Sequence, residues 1–302
     1  MTAAGYLAAA IALIGAIAAA GCGLGAGASV GDATLTVTQD YGAEPVLQRR
    51  LDDLKESDTV LRALDRSTDI STRYGGGFVQ SIDGIAGASH NGRRYDWFFY
   101  VNGIESSTGA ADVSLHDGDR VWWDYRDWTS AMSVPAVVGS FPAPFADGYE
   151  GSPHRTEIVC RTAAGTCATV RQALAGAGAR FGGGEDAIRV LVGPWAALRH
   201  DPVAARLAKG PAFSGIFAQL LPIAGGFRLY GLTANGDTVT TFGPRAGLVA
   251  ATRRYSDPPV WLVTGTKPAG VRSAASLLDA ADLRDHYAVA IEDGKKTPLP
   301  TP

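Results

Sequence analysis

Histidine and cysteine are scarce in this chain of 302 residues, at five and three, and what they would build is missing with them. His90, His116, His154, His200 and His286 stand far apart with no ligand spacing, which argues against a histidine metal centre or a base with a positioned partner. Beyond the N-terminal leader only Cys160 and Cys167 remain, and with at most His154 beside them they fall short of the four ligands of a closed zinc site. No Gly-x-Ser-x-Gly elbow, Gly-x-x-x-x-Gly-Lys-Ser/Thr loop or His-Glu-x-x-His helix occurs. The glycine cluster from Gly176 to Gly182 follows a helical pattern instead of a strand, so it lacks the context of a phosphate cradle. A formal net charge of -3 gives no basic footprint for nucleic acid. These absences predict a protein that is not an enzyme, with no metal, no cofactor and no nucleic-acid partner.

Charge is also absent from the first 21 residues, which run apolar from Leu7 to Ala20 and end in Ala19-Ala20-Gly21-Cys22. That predicts a signal peptide over 1–21 with lipidation at Cys22, ordinary secretion or a retained anchor being the alternatives. The apolar run falls short of the roughly 20 residues needed to span a bilayer. The expected location is the outer face of the cell membrane, held through the N-terminal lipid. A glycine-rich tether over 22–32 follows. In an exported chain Cys160 and Cys167 are expected to form a disulfide.

What is abundant is aromatic residues in one place. Tyr95–Ile104, Leu115–Asp119 and Val121–Trp128 hold four of the six tryptophans. Strand alternation puts Trp97 and Phe99 on one face with Trp123 and Tyr125, the expected core under a helix. Phe98, Tyr100, Trp122, Asp124, Arg126 and Trp128 fall on the other, a mixture of large rings and charges that either packs under another element or binds a ligand. Around them, Ala33–Gly42 reads as a strand, a helix opens at Ser57 as N-cap, and Asn102-Gly103 and Asp117-Gly118 read as turns. The aspartates Asp112, Asp117, Asp119, Asp124 and Asp127 fit turns and strand edges better than a hydrolytic pair or a calcium site.

The fold class predicted is α+β, in two domains: a mixed sheet with one main helix over 33–130, and an α/β domain over 154–294. A Pro/Gly/Phe linker over 131–153 is expected to pack locally, because Phe141 and Phe145 need cover. In the second domain the pattern predicts strands at 156–160, 188–192, 260–263 and 287–291 and a hairpin about Asn235-Gly236. Helices are expected at 169–177, 196–207, 246–254 and 271–283, with a helix-like run at 213–221. The tail 295–302 reads as disordered.

Five marks in the first domain carry a family resemblance: Val37-Thr-Gln-Asp-Tyr-Gly42; Thr59-Val-Leu-Arg-Ala-Leu64; Tyr74-Gly-Gly-Gly-Phe-Val79 with Ile82-Asp-Gly84; Trp97-Phe-Phe-Tyr-Val-Asn-Gly103; and Leu115-His-Asp-Gly-Asp119 before Val121-Trp-Trp-Asp-Tyr125. With these, residues 33–128 resemble the β-grasp domain at the C-terminal end of the transcobalamin and intrinsic factor family, also found in bacterial surface proteins as a domain of unknown function. The resemblance implies a ubiquitin-like fold and a non-catalytic role. In the vitamin carriers this domain closes over cobalamin held by a helical domain, which has no counterpart in the pattern here. The function expected is a binding protein capturing a cobalamin-like or other small ligand for an importer. The alternative is a structural or interaction protein of the cell envelope.

Overall fold

The computed structural model describes residues 27–74 and 77–302. The expected leader 1–21 and the lipidation site Cys22 lie outside the described residues, as do two glycines of the mark after Tyr74. The fold is mixed α+β with several sheets.

In the N-terminal half, Thr alternating with apolar residues makes β1 (Ser29–Gln39), whose Ala33, Leu35 and Val37 turn inward. Its first residues come from the expected tether, where Asp32 N–H bonds the Asp117 carboxylate. A turn at 40–43 leads into β2 (Glu44–Lys55), an antiparallel partner that the sequence reading left out. β2 carries charge at most outward positions and buries only Leu51 and Leu54, so its alternation is faint. Helix α1 (Val60–Asp65) is capped by Thr59 instead of Ser57, its hydroxyl accepting from Arg62 N–H. Then come β3 (Ile70–Arg73), β4 (Phe78–Ile82) and β5 (Ile85–Ala86), a small sheet of their own. β6 (Ala88–His90), β7 (Arg93–Val101), β8 (Ile104–Glu105) and β9 (Arg120–Asp127) complete the main sheet. Its order is β2-β1-β9-β7-β6, with β1 and β9 parallel at the centre and the other pairs antiparallel. Under α1, Val60, Ala63 and Leu64 meet Leu35, Val37, Trp97, Phe99 and Trp123. This is the core that strand alternation predicted except for Tyr125, which is only partly buried at its edge; each large side chain contributes about 1.5–3 kcal/mol on burial.

The turn Asn102-Gly103 between β7 and β8 adopts positive φ at both residues. The buried Asn102 amide donates to Asp119 and to the Gly148 carbonyl while its oxygen accepts from Arg120 N–H, which locks the turn to β9.

The connecting segment packs, as Phe141 and Phe145 require. It includes α2 (Ala143–Ala146), and both phenylalanine rings lie against Trp261, at 6.0 and 4.9 Å.

The C-terminal half begins with β10 (Arg155–Cys160), α3 (Ala164–Gly176), β11 (Arg180–Phe181) and β12 (Ile188–Pro194). α4 (Trp195–Leu198), a 3-10 turn over Ala204–Lys209 and α5 (Pro211–Ser214) replace the long helices expected at 196–207 and 213–221. Pro202 and the left-handed Gly215 interrupt those apolar runs. β13 (Ala218–Ile223), β14 (Gly226–Leu232) and β15 (Thr238–Thr241) form a separate antiparallel sheet that contains the expected hairpin.

β16 (Gly247–Thr252) stands where a helix was expected. All six of its residues are buried, so it shows no alternation, and short apolar runs of this kind read equally as helix or strand. Its glycine is the clue in hindsight: a Cβ at Gly247 would lie 2.2 Å from the carbonyl oxygen of Gly270. After β17 (Val260–Gly265), α6 (Pro268–Ala275) and α7 (Ala280–Leu283) divide the expected single helix, Asp279 capping the second. β18 (Ala288–Glu292) precedes β19 (Lys295–Leu299), which takes up most of the tail expected to be disordered. Lysines and a proline mark a blunted edge strand as readily as a free tail. The main C-terminal sheet runs β11-β10-β12-β17-β16-β18-β19, parallel from β11 to β17 and antiparallel beyond.

Cys160 and Cys167 form the expected disulfide, tying the end of β10 to the first turns of α3. Replacing both by serine is expected to cost about 2 kcal/mol, the loop-closure value for so short a ring, measured by urea unfolding.

Candidate functional site

Strand parity sets the six candidate side chains on one face of the N-terminal sheet, and that face is covered. Tyr100, Trp122, Asp124 and Arg126 are between 0% and 2% exposed, while Phe98 and Trp128 are half-buried. Of the two alternatives left open for this face, these four side chains take the first, cover by other elements. They pack beneath Ala131, Val134 and Val137 of the connecting segment and beneath Tyr287 and Phe217 of the C-terminal half. The reason is area: two indole and phenol rings left in water would forgo several kcal/mol, and the β16–β18 sheet offers them an apolar face.

Tyr287 is the hub of this seam. Its ring meets Tyr41, Trp122 and Tyr100 edge-on, with centroids 5.0, 5.3 and 5.7 Å away. Its hydroxyl donates to Asp124 Oδ2 at 3.0 Å. Asp124 also accepts from the Thr38 hydroxyl at 2.5 Å and from the backbone N–H groups of Tyr41 and Gly42 at 3.0 and 3.1 Å. Those two amides converge because Asp40, Tyr41 and Gly42 all have positive φ. Only glycine suits the last position, since a Cβ there would lie 1.9 Å from the Asp285 carbonyl oxygen across the seam. Trp122 Nε1 donates to Thr38 Oγ1 at 2.8 Å, closing the network.

Burial pushes the Asp124 carboxyl up to about 6 from 3.8, although Thr38, Tyr287, Gly42 and the Arg126 charge pull it down. An acid whose pKa is higher folded than unfolded binds more protons folded across roughly pH 4–6, so its contribution to stability falls as pH rises through that window and is level above it. The stability difference between the native protein and Asp124→Asn is expected to move by roughly 2–3 kcal/mol in favour of the native protein between pH 7 and pH 4. Urea unfolding of both proteins at several pH values checks this, and a pH-independent difference contradicts it.

Arg126 is fully buried on the same face. Its guanidinium stacks on the Phe98 ring at 3.7 Å and donates to the carbonyls of Ala131 and Met132 and to Glu105. Trp128, further along, is capped by the Arg94 guanidinium at 3.8 Å.

Phe98 leads out of the seam into a cleft. A cavity of about 750 Å3 opens there between the halves, lined by Phe98, Glu105, Met132 and Ser133 on one side and by Arg206, Phe213, Arg253 and Tyr255 on the other. Its volume falls within the ~300–1,000 Å3 of small-molecule sites. A smaller hollow of about 310 Å3 adjoins it across Glu105, Ser106, Ser107 and Glu150 and is lined further by Ser114, His116 and Asp119. Met132, Phe213 and Tyr255 are among the most exposed large apolar side chains, at 69%, 54% and 84%. Tyr255 is held out by Arg253, whose nitrogens donate to the carbonyls of Ser256 and Asp257 and to Glu150. Of the residues lining the larger cleft the sequence reading named only Phe98 as a site candidate. The others come from β8, from the 3-10 turn and α5, and from loops, and the one local signal is an apolar residue beside turn residues, as in Arg254-Tyr-Ser-Asp257.

The remaining candidates are dispersed. Asp117 accepts from Asp32 N–H, and Asp119 from Asn102 and His116 N–H, so their oxygens face different donors. His154 stacks on Tyr149. Among the described residues no group of three His, Cys, Asp or Glu is placed to hold a metal ion, and no helix is long and apolar enough to cross a membrane.

No curated protein was found to match the chain. Residues 57–127, from the segment before α1 to the end of β9, match the family described as a domain of unknown function (DUF4430), whose matched span leaves out β1 and β2.

Proposed function

We propose that this is a non-enzymatic binding protein, exported and anchored to the outer face of the membrane through a lipid on Cys22. In this reading a β-grasp domain over 33–130 and an α/β domain over 154–294 are welded along the Trp122–Tyr287 seam, and the ligand enters the cleft beside Phe98. The observation that carries it is the cleft itself, with apolar side chains from both halves left exposed around a small-molecule volume. The ligand would be a cobalamin-like tetrapyrrole or another small molecule passed to an importer. The test is calorimetric titration with cobalamin and related corrinoids, repeated with Phe213→Ala and Tyr255→Ala. Saturable binding weakened by both substitutions supports the reading. No binding at about 100 μM, a limit of only about 5–6 kcal/mol, removes corrinoids as ligands.

A second reading, an envelope interaction protein without a small ligand, draws on the burial of Tyr100, Trp122, Asp124 and Arg126, which assigns that face to holding the halves together. It expects the two cleft substitutions to leave binding of every small molecule unchanged.

A further inference from the structure

We infer that the cleft selects an amphipathic anion: an apolar, flat body carrying one acidic group that is received by Arg206. The inference rests on the cleft reading above and adds the ligand's charge.

Four charged side chains line the cleft, and three of them are matched. Glu105 accepts from Arg126, from Val134 N–H and from the Ser133 hydroxyl. Glu150 accepts from Arg253 at 2.6 Å, and the other two donor groups of Arg253 are spent on backbone carbonyls. Arg206 differs. Its Nε donates to the Phe213 backbone carbonyl at 2.6 Å, which fixes one edge of the guanidinium, and among the described residues no carboxylate lies within ion-pair distance of it. A half-buried arginine on an open surface would signify little. Here it is oriented by its own Nε, lines a cleft of mixed polar and apolar side chains and leaves that cleft with one uncompensated positive charge. A planar guanidinium with its two terminal amino groups free matches a carboxylate or another oxyanion through paired N–H···O bonds. Phe98, Phe213 and Tyr255 supply ring faces for the body of such a molecule. Phe98 is itself backed by the buried Arg126, so its position is fixed before any ligand arrives.

The experiment uses the full chain and three probes in calorimetric titration: 2-naphthoate, its uncharged counterpart 2-naphthamide, and decanoate. Naphthoate is expected to bind roughly ten-fold tighter than naphthamide, as one charge-assisted contact at a partly open site allows. Arg206→Gln is expected to bring naphthoate down to the naphthamide level and leave naphthamide unchanged, with Arg206→Lys keeping part of the preference. Phe213→Ala weakens both. Equal binding of the two naphthalenes, indifferent to Arg206→Gln, overturns the anion inference while leaving the cleft as a binding site. Decanoate binding far more tightly than naphthoate overturns the flat body and identifies an aliphatic acid. If none of the probes binds, the inference fails, while the cleft reading stands or falls separately on the corrinoid titration.

Discussion

Arg126→Ala is expected to lower the unfolding free energy by about 3–5 kcal/mol, the range for removing one partner of a buried charge pair. Arg126 is fully buried, and its removal strands Glu105, which is itself largely buried, and the carbonyls of Ala131 and Met132. It also removes the support under Phe98. Asp124 loses the nearby Arg126 charge, so the cost is expected to grow above about pH 6, where that carboxylate is ionised. Replacing Arg126 by methionine keeps much of the volume and isolates the charge. If Arg126→Met unfolds at the same urea concentration as the native protein, the guanidinium contributes packing alone and the account of the pair is wrong.

Trp122→Ala is expected to cost a similar amount, about 3–5 kcal/mol, from the cavity left by a buried indole. The indole packs against Tyr100 and Tyr287, and a Cβ at Gly139 would touch it at 2.8 Å, so the surrounding backbone has little freedom to collapse. Its loss also frees the Thr38 hydroxyl that orders Asp124. The two possible roles of Trp122 separate in the data. A seam residue loses stability and leaves the affinity of cleft probes nearly unchanged while the protein stays folded. A ligand contact does the reverse.

Much of the N-terminal half was legible because its strands are half-buried and alternate. Trp97, Phe99 and Trp123 are core under α1, and Asn102-Gly103 is the turn the residues demand. The same alternation divided the aromatics into two faces correctly but could not say what covered the second. That depends on Tyr287, about 160 residues away in sequence from Asp124, the carboxylate it donates to. In the C-terminal half alternation fails for the central strands, buried on both faces, so the all-buried β16 read as a helix. The polar β19 read as a tail for the opposite reason, since nothing in its own composition reveals the β18 edge it completes. The cleft was least legible. Arg206, Phe213 and Tyr255 come from the 3-10 turn, from α5 and from the loop after β16, and only the folded chain brings them beside Phe98.

The Tyr100–Trp122–Tyr287 face is a closed seam, and the neighbouring cleft is the open surface proposed as the site. Hydroxyl-radical footprinting of the native protein tests it within one sample, because Tyr74 and Tyr255 are more than four-fifths exposed and serve as internal references. Rapid oxidation of Tyr74, Tyr255 and Phe213 and strong protection of Tyr100, Trp122 and Tyr287 are expected. Oxidation of Trp122 and Tyr100 at rates comparable to Tyr255 would contradict the closed seam, and would return the ligand site to the face between the two sheets.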